Sequence, residues 1–286
     1  MRICIVTPCL NGAAFIDETI LSVASQAGPF KIRYHVQDGG SSDGTLEKLD
    51  RWKRLLDGNF PFCCEGIDFS YASEKDDGMY DAVNRGFNVC GTGDVMGWIN
   101  ADDLLEPASL AIAAQVFQNH QDVHWIAGIG CVINQQGITL RIQKLTYPRK
   151  AIQAGIFDQR SHPLTIQQEG SFWRFSLWQE TGGLDKRFRM AGDFDLWRRF
   201  AVKTDLVMVN SILGRFRVRA GQKSTDSNSY YAEIDASLTQ SEKALRQRTA
   251  DEIKACKSAE ERIAAGFGSR VAAYEPQSGT WKITRA

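Results

Sequence analysis

The segment IRYHVQDGGSSDGTLEKLDRWKRLLD, residues 32–57, passes through three regimes in a single reading. Residues 32–37 are a short run with β-branched and aromatic side chains, the composition of a buried strand. The polar turn DGGSSDGT follows, and its Ser and Asp residues are natural N-caps. Leu46, Leu49 and Leu56 then mark one face of a helical period, which predicts an amphipathic helix over residues 45–57. The same grammar extends both ways. Upstream, residues 2–6 end at TPCLNG and lead into a helix from about residue 13, with Ile16, Ile20, Val23 and Ala24 at i, i+4, i+7 and i+8. Downstream, residues 67–71 precede Met79, Val83 and Phe87, one turn apart, and residues 94–99 run into Asn100-Ala101-Asp102-Asp103. Pro107 is placed for the first turn of a further helix. Four such units within the first 105 residues predict an α/β protein with parallel strands joined by helical crossovers. Right-handed crossovers bring the C-terminal ends of those strands to one edge, so the four following loops should line a common crevice.

Past about residue 123 the pattern changes. Residues 123–133, the turn NQQG and residues 138–143 read as a hairpin, which makes the sheet mixed but mostly parallel. In the tail from Ser241, Leu245, Ile253, Cys256 and Ile263 fall near helical spacing, with nine Lys/Arg against six Asp/Glu. That pattern suits a solvated helix or helix pair appended to the body, and alternatively a helix lying on a membrane surface or a partner.

Composition narrows the function. Of 286 residues, 43% are hydrophobic and 24% charged with only 7 Pro, which excludes collagen-like and disordered chains. Net charge is zero, 34 basic against 34 acidic residues, so no nucleic-acid ligand is expected. The longest apolar stretch, residues 125–133, is far short of the roughly 20 needed to span a bilayer. The N-terminus reads as a strand rather than a signal peptide, and a cytoplasmic protein is expected. Seven scattered Cys without a Cys-x-x-Cys pair argue against a disulfide framework or a zinc site, and His120 and His124 lack a neighbouring Glu. There is no Gly-x-Gly-x-x-Gly after the first strand, no phosphate-binding P-loop and no Gly-x-Ser-x-Gly elbow.

The polar residues collect in five places. Thr7-Pro8-Cys9-Leu10-Asn11-Gly12 ends the first strand, where Pro8 lacks a donor and offers a flat surface to a nucleobase, or simply ends the strand. Asp38 stands at the end of the second strand, able to accept an imino N–H from a base, while Asp43 suits a helix cap. Asp81 and Arg85 share a helix face, either as an ion pair or to meet a sugar hydroxyl and a phosphate. Asn100, Asp102 and Asp103 offer hard oxygen ligands to a divalent cation, or cap the helix near Pro107. Finally, Asp193 opens the helix GDFDLWRR, where an N-terminal carboxylate stays ionised and can act as a base. Upstream, residues 168–173 and Trp178 supply an aromatic, polar patch suited to a sugar face, or core.

In this order the motifs TPCLNG, VQDGGSSDGT, SEKDDGMYDAVNRGF, WINADD and GDFDLWRR resemble family 2 inverting glycosyltransferases of the GT-A, Rossmann-like fold, over roughly residues 1–215. The third and fourth look most like the branch acting in bacterial polysaccharide assembly. The resemblance implies a GT-A domain over residues 1–220, with a nucleotide-sugar half (1–105), an acceptor-side half (106–220) and a helical C-terminal extension over 221–286. It implies donor contacts from Thr7, Pro8, Asn11, Asp38, Asp81, Arg85, Asn100 and Asp102, a Mg²⁺ or Mn²⁺ ion on Asp102 and Asp103, and Asp193 as general base. Asn100 and Gly192 stand where the family commonly has acidic residues. The implied partners are a nucleotide-diphosphate sugar, UDP-linked in the first instance, and a glycan or lipid-linked acceptor, with peripheral membrane contact through the tail. A sugar nucleotidyltransferase and a catalytically silent nucleotide-sugar-binding protein are the alternatives.

Overall fold

Strand β1 (Arg2–Cys9) is buried along all but its first residue, and its side chains alternate: Ile3 and Ile5 enter one core, Cys4 and Val6 the other. A strand covered on both faces reads as continuously apolar, which is why residues 2–6 show no polar alternation. The computed structural model describes residues 1–160 and 165–286. After β1 come α1 (Ile16–Ala24), β2 (Lys31–Asp38), α2 (Thr45–Asp57), β3 (Ile67–Ser73), α3 (Met79–Cys90), β4 (Val95–Trp98) and β5 (Leu104–Leu105). Next are α4 (Ser109–Asn119), β6 (Trp125–Ile133), β7 (Thr139–Gln143), α5 (Arg149–Gln153), β8 (Ser171–Arg174), α6 (Phe175–Thr181) and α7 (Gly192–Lys203). The chain continues through β9 (Val207–Ile212), β10 (Gly214–Arg217), α8 (Ser227–Ser237), α9 (Gln240–Ala255), α10 (Ala259–Arg262), β11 (Arg270–Glu275) and β12 (Thr280–Arg285).

The sheet runs in the order β12, β11, β9, β6, β8, β4, β1, β2, β3. β1 pairs in parallel with both β2 and β4, and β2 with β3, whereas β8 is antiparallel to β4 and β6. Strand order therefore reverses beside β1. This is the topological switch point at which open α/β sheets bind ligands, outside the carboxyl ends of the strands. Helices α1, α2 and α4 cover one face through Ile16, Ile20, Leu49, Leu110 and Phe117. The other face is covered through Val83 and Phe87 of α3 and Leu196, Trp197 and Phe200 of α7, against Trp98, Trp125 and Trp173 of the sheet.

Two expectations need correcting. The tail is helical over α8 to α10, but residues 270–285 are a hairpin whose β11 pairs in parallel with β9. Val271, Ala272, Trp281 and Ile283 pack against the two cores, so the tail completes the sheet rather than trailing from it as a purely helical extension. Pro107 lies just ahead of α4, because Ala108 takes a left-handed φ of 67° before the helix begins at Ser109. Among the described residues no helix is long and apolar enough to cross a membrane.

Candidate active site

The loops after the first three strands are stitched together by their own polar atoms. Asn11, in the left-handed region at φ 52°, donates its backbone N–H to Ser41 Oγ (2.7 Å) and accepts at Oδ1 from the Ser42 N–H (2.9 Å). Asp43 accepts from the Ala13 N–H (3.0 Å) and from the Thr45 N–H (3.2 Å), while Gly44 rather than Asp43 is the N-cap residue of α2. Asp38 is fully buried: Oδ2 accepts from the N–H groups of Gly40 (3.0 Å) and Ser41 (2.9 Å) and from Ser73 Oγ (2.7 Å), while Ser41 Oγ donates to Oδ1. The expected contact between Asp38 and a base is therefore not presented. With its lone pairs turned to its own loop, this carboxylate shapes the crevice wall instead. Thr7 is likewise turned inward, its hydroxyl 3.0 Å from Tyr34 OH, and Pro8 is buried in β1 opposite Gln37, whereas Asn11 is exposed at the rim.

Asp81 and Arg85 form more than a surface pair. Asp81 is only 2% exposed, and Arg85 Nη2 lies 2.7 Å from Oδ2 while Lys186, from the far half of the chain, reaches Oδ1 at 3.1 Å. Burial would raise the Asp81 pKa, but the Asp77 N–H, Lys186 and Arg85 together hold it below the ordinary carboxylate range. Arg85 is thereby fixed with part of its guanidinium in solvent.

At the end of β4 the acidic pair divides. Asp103 is wholly buried, its Oδ1 accepting from the Arg217 N–H (2.7 Å) and its Oδ2 from Asn100 Nδ2 (3.0 Å). Burial pushes its pKa well above the usual value, and the nearby Glu169 and Asp102 charges add to the rise. Buried and with a donor on each oxygen, Asp103 is turned into the protein, whereas the expectation had placed it beside Asp102 on a cation. Asp102 is partly exposed, with Oδ2 held by Arg219 Nε at 2.6 Å, and no hydrogen bond reaches Oδ1 among the described residues. Asn100 Oδ1 is buried without a partner. These two hard oxygens fit Mg²⁺ or Mn²⁺, which typically take one or two protein ligands and complete their shell from phosphate and water. No group of three His, Cys, Asp or Glu able to hold a metal occurs among the described residues.

Two residues here, Arg217 and Arg219, were missed by sequence reasoning, and a third, Glu169, was read only as part of a sugar-facing patch. Arg217, 0% exposed, clamps the Asp102 turn by donating to Asp102 O (2.6 Å), Gln135 O (2.7 Å) and Glu18 Oε2 (2.7 Å), with its guanidinium over the Phe15 ring. Arg219 follows two residues later. Glu169 is buried with Oε2 unpartnered. Burial carries its carboxyl up to about 7, and both Asp193 and Asp102 add to that rise, so Glu169 lies within electrostatic reach of each of them. The neighbouring aromatic patch is core: Trp173 is fully buried, and Gln168 Nε2 donates to Trp98 O (3.1 Å).

Asp193 opens α7 and accepts at Oδ1 from the Phe194 N–H at 2.8 Å. A pocket beside it is lined by Ile152, Phe157, Ile166, Phe194, Trp197 and Tyr230, and burial among such groups pushes its carboxyl up to about 6. Tyr80 OH stands 3.5 Å from Oδ1 and donates to Met190 O at 2.9 Å. The Tyr80 ring also explains Gly192, since a Cβ there would come within 2.6 Å of it. A second carboxylate at that position is excluded by sterics. Asp195, two residues on, pairs instead with Arg199 at 2.7 Å.

The tail helps to build this end of the site. Glu233 of α8 accepts from the N–H groups of Arg189 (2.8 Å), Met190 (2.8 Å) and Ala191 (2.9 Å), and Ile234 and Leu238 pack on Ala191 and Phe194. One carboxylate thus takes three donors ahead of the helix that carries Asp193. Glu233→Ala should lower stability by about 1–3 kcal/mol, read as a drop in thermal midpoint, because those N–H groups lose a charged acceptor. An unchanged midpoint would mean that water replaces it at no cost.

The sequence model of glycosyl transferase family 2 matches residues 4–177. A glycosyltransferase of Mycobacterium tuberculosis described as uncharacterized is 25% identical over 213 residues, covering 74% of this chain and 73% of its own length. A PGL/p-HBAD biosynthesis glycosyltransferase of Mycobacterium bovis is 27% identical over 195 residues, 67% of this chain and 66% of its own. Among solved structures, Staphylococcus aureus TarS crystallised with UDP-GlcNAc shares the fold at a TM-score of 0.61 and 14% identity, over 92% of this chain and 78% of that one. The mannosyltransferase PcManGT of Pyrobaculum calidifontis, crystallised with GDP-Man and Mn²⁺, does so at 0.58 and 15%, over 92% and 78%. Asp193, Arg217 and Arg219 lie beyond the matched segment, but the match covers more than half of the chain. The chain belongs to glycosyl transferase family 2.

Proposed function

We propose that the chain transfers a glycosyl group from a nucleoside-diphosphate sugar to a hydroxyl of a glycan or lipid-linked acceptor, with inversion and with Asp193 as general base. The observation that carries this reading is Asp193 itself: a single carboxyl at a helix N-terminus, raised to about 6 by burial and, like Asp102, within electrostatic reach of the buried Glu169. As the acceptor oxygen forms its bond to the anomeric carbon, Asp193 takes the hydroxyl proton. The bond to the diphosphate oxygen breaks, and its electron pair leaves with the nucleotide. Asn11 stands at the rim for the donor, and Arg85, steadied by Asp81, faces the diphosphate with its exposed donors. A Mg²⁺ or Mn²⁺ ion held by Asp102 and Asn100 would neutralise charge on the departing diphosphate. A lipid-linked acceptor would bring the protein to a membrane face, with the tail as the contact.

The test is nucleotide release from UDP-GlcNAc and from GDP-mannose in the presence of Mn²⁺, without and with candidate acceptors. Turnover of one donor is expected, as slow hydrolysis when no acceptor is supplied. A base must be ionised to accept a proton, so the rate should rise with pH through about 6 and then level off. A flat profile from about pH 5 to 8 would remove Asp193 from its role. Failure to bind or turn over any UDP-, GDP-, CDP- or dTDP-sugar would sink the transferase reading for this chain.

A further inference from the structure

Two arginines leave β10 and reach the same turn, yet they are held very differently. Arg217 is wholly buried and anchored by a carboxylate and two carbonyls, whereas Arg219 has 35% of its side chain exposed and touches one anion, Asp102 Oδ2. Only Nε of Arg219 is engaged, and Nη1 and Nη2 make no hydrogen bond among the described residues. The loop behind it is set: Gln222 Nε2 donates to Arg217 O at 2.8 Å, and the Arg219 guanidinium carbon lies 5.9 Å from the Phe15 ring centroid. A guanidinium therefore occupies one oxygen of the carboxylate that a cation would need, with the two-pronged end of its fork still unused.

We infer that Arg219 is a ligand for the donor's diphosphate that rests on Asp102 until the donor arrives. A cation on Asp102 Oδ1 and a guanidinium on Oδ2 of the same carboxylate repel each other, so the cation loosens Arg219 from Asp102. The pair runs through a single nitrogen with the arginine end about a third open to solvent, so a second anion can compete for it. The fork then suits a diphosphate, whose oxygens can accept from Nη1 and Nη2 together. Cation alone loosens Arg219 without giving it a new partner, whereas a diphosphate offers one. The two should therefore favour each other's binding.

This inference rests on the reading of the crevice as a nucleoside-diphosphate site, and the wild-type measurements test that reading separately. Mn²⁺ affinity is measured by electron paramagnetic resonance without nucleotide, and UDP and GDP affinity by calorimetry in EDTA, on the full chain. Relative to wild type, Arg219→Ala should bind Mn²⁺ alone about two- to five-fold more tightly, since its competitor is gone. The same variant should bind the preferred nucleoside diphosphate about ten-fold or more weakly in EDTA. Arg219→Lys keeps the charge without the fork, so Mn²⁺ binding should stay at the wild-type level while nucleotide binding recovers only in part. The lysine variant also serves if the alanine variant does not fold. Mn²⁺ affinity that is unchanged or weaker in Arg219→Ala, or nucleotide affinity that is unchanged, overturns the assignment of Arg219. Wild-type protein that binds neither UDP nor GDP counts against the crevice itself.

Discussion

An Asp193→Asn variant should fold normally and lose about 10²- to 10⁴-fold in glycosyl transfer, roughly 3 to 5.5 kcal/mol of barrier. The amide preserves the oxygen that accepts from the Phe194 N–H and can stay beside Tyr80 OH, so the start of α7 keeps its geometry. It cannot take a proton. A base that serves the acceptor, as proposed for Asp193, does not touch the nucleotide, so nucleoside-diphosphate affinity should be nearly unaltered. The rise in rate through about pH 6 should vanish with the carboxyl. The measurement is initial-rate transfer across pH beside nucleotide titration of the same preparation. Wild-type turnover in the variant would rule Asp193 out as the base, whatever the other residues do. Gly192 sharpens the test, since the Tyr80 ring fills the space a neighbouring carboxylate would need and leaves no adjacent acid to substitute.

Arg217→Ala should be the most destabilising single change, by roughly 3 to 5 kcal/mol. A buried guanidinium with three acceptors is removed, and the carbonyls of Asp102 and Gln135 are left without their donor. The cavity falls directly under the turn that aims Asp102, so weaker Mn²⁺ and nucleotide binding should accompany the fall in thermal midpoint. Arg217→Lys should recover little, because one ammonium cannot serve carbonyls and a carboxylate arranged around a planar fork. A midpoint within a degree or two of wild type would show that this network is not what holds the turn. The contrast with Arg219 is informative, since its replacement should move ligand binding with little loss of stability.

The parallel half of the fold was legible for a local reason. Strand, polar turn and amphipathic helix follow one another within residues 32–57, and the observed β2 and α2 span Lys31–Asp38 and Thr45–Asp57. The hairpin of β6 and β7 was readable in the same way from NQQG between two apolar runs. The tail was harder. Residues 270–285 are short and only half-buried, and β11 becomes a strand because β9 offers a free parallel edge, which no local pattern announces.

What residue order settled by itself was the parallel βαβ half, the edge at which its loops meet, and the placing of Asp102 and Asp193 at a strand end and a helix start. Periodicity and turn chemistry act over a few residues and can be read off the row. Tertiary structure alone decided which polar groups face the crevice. Asp38 turns into its own loop, Asp103 is buried between Asn100 and the Arg217 N–H, Glu169 comes within reach of both outer carboxyls, and Arg219 closes on Asp102 across 117 positions of chain. A carboxylate's role follows from its burial and from the donors that reach it, and those donors arrive from segments that only the folded sheet brings together.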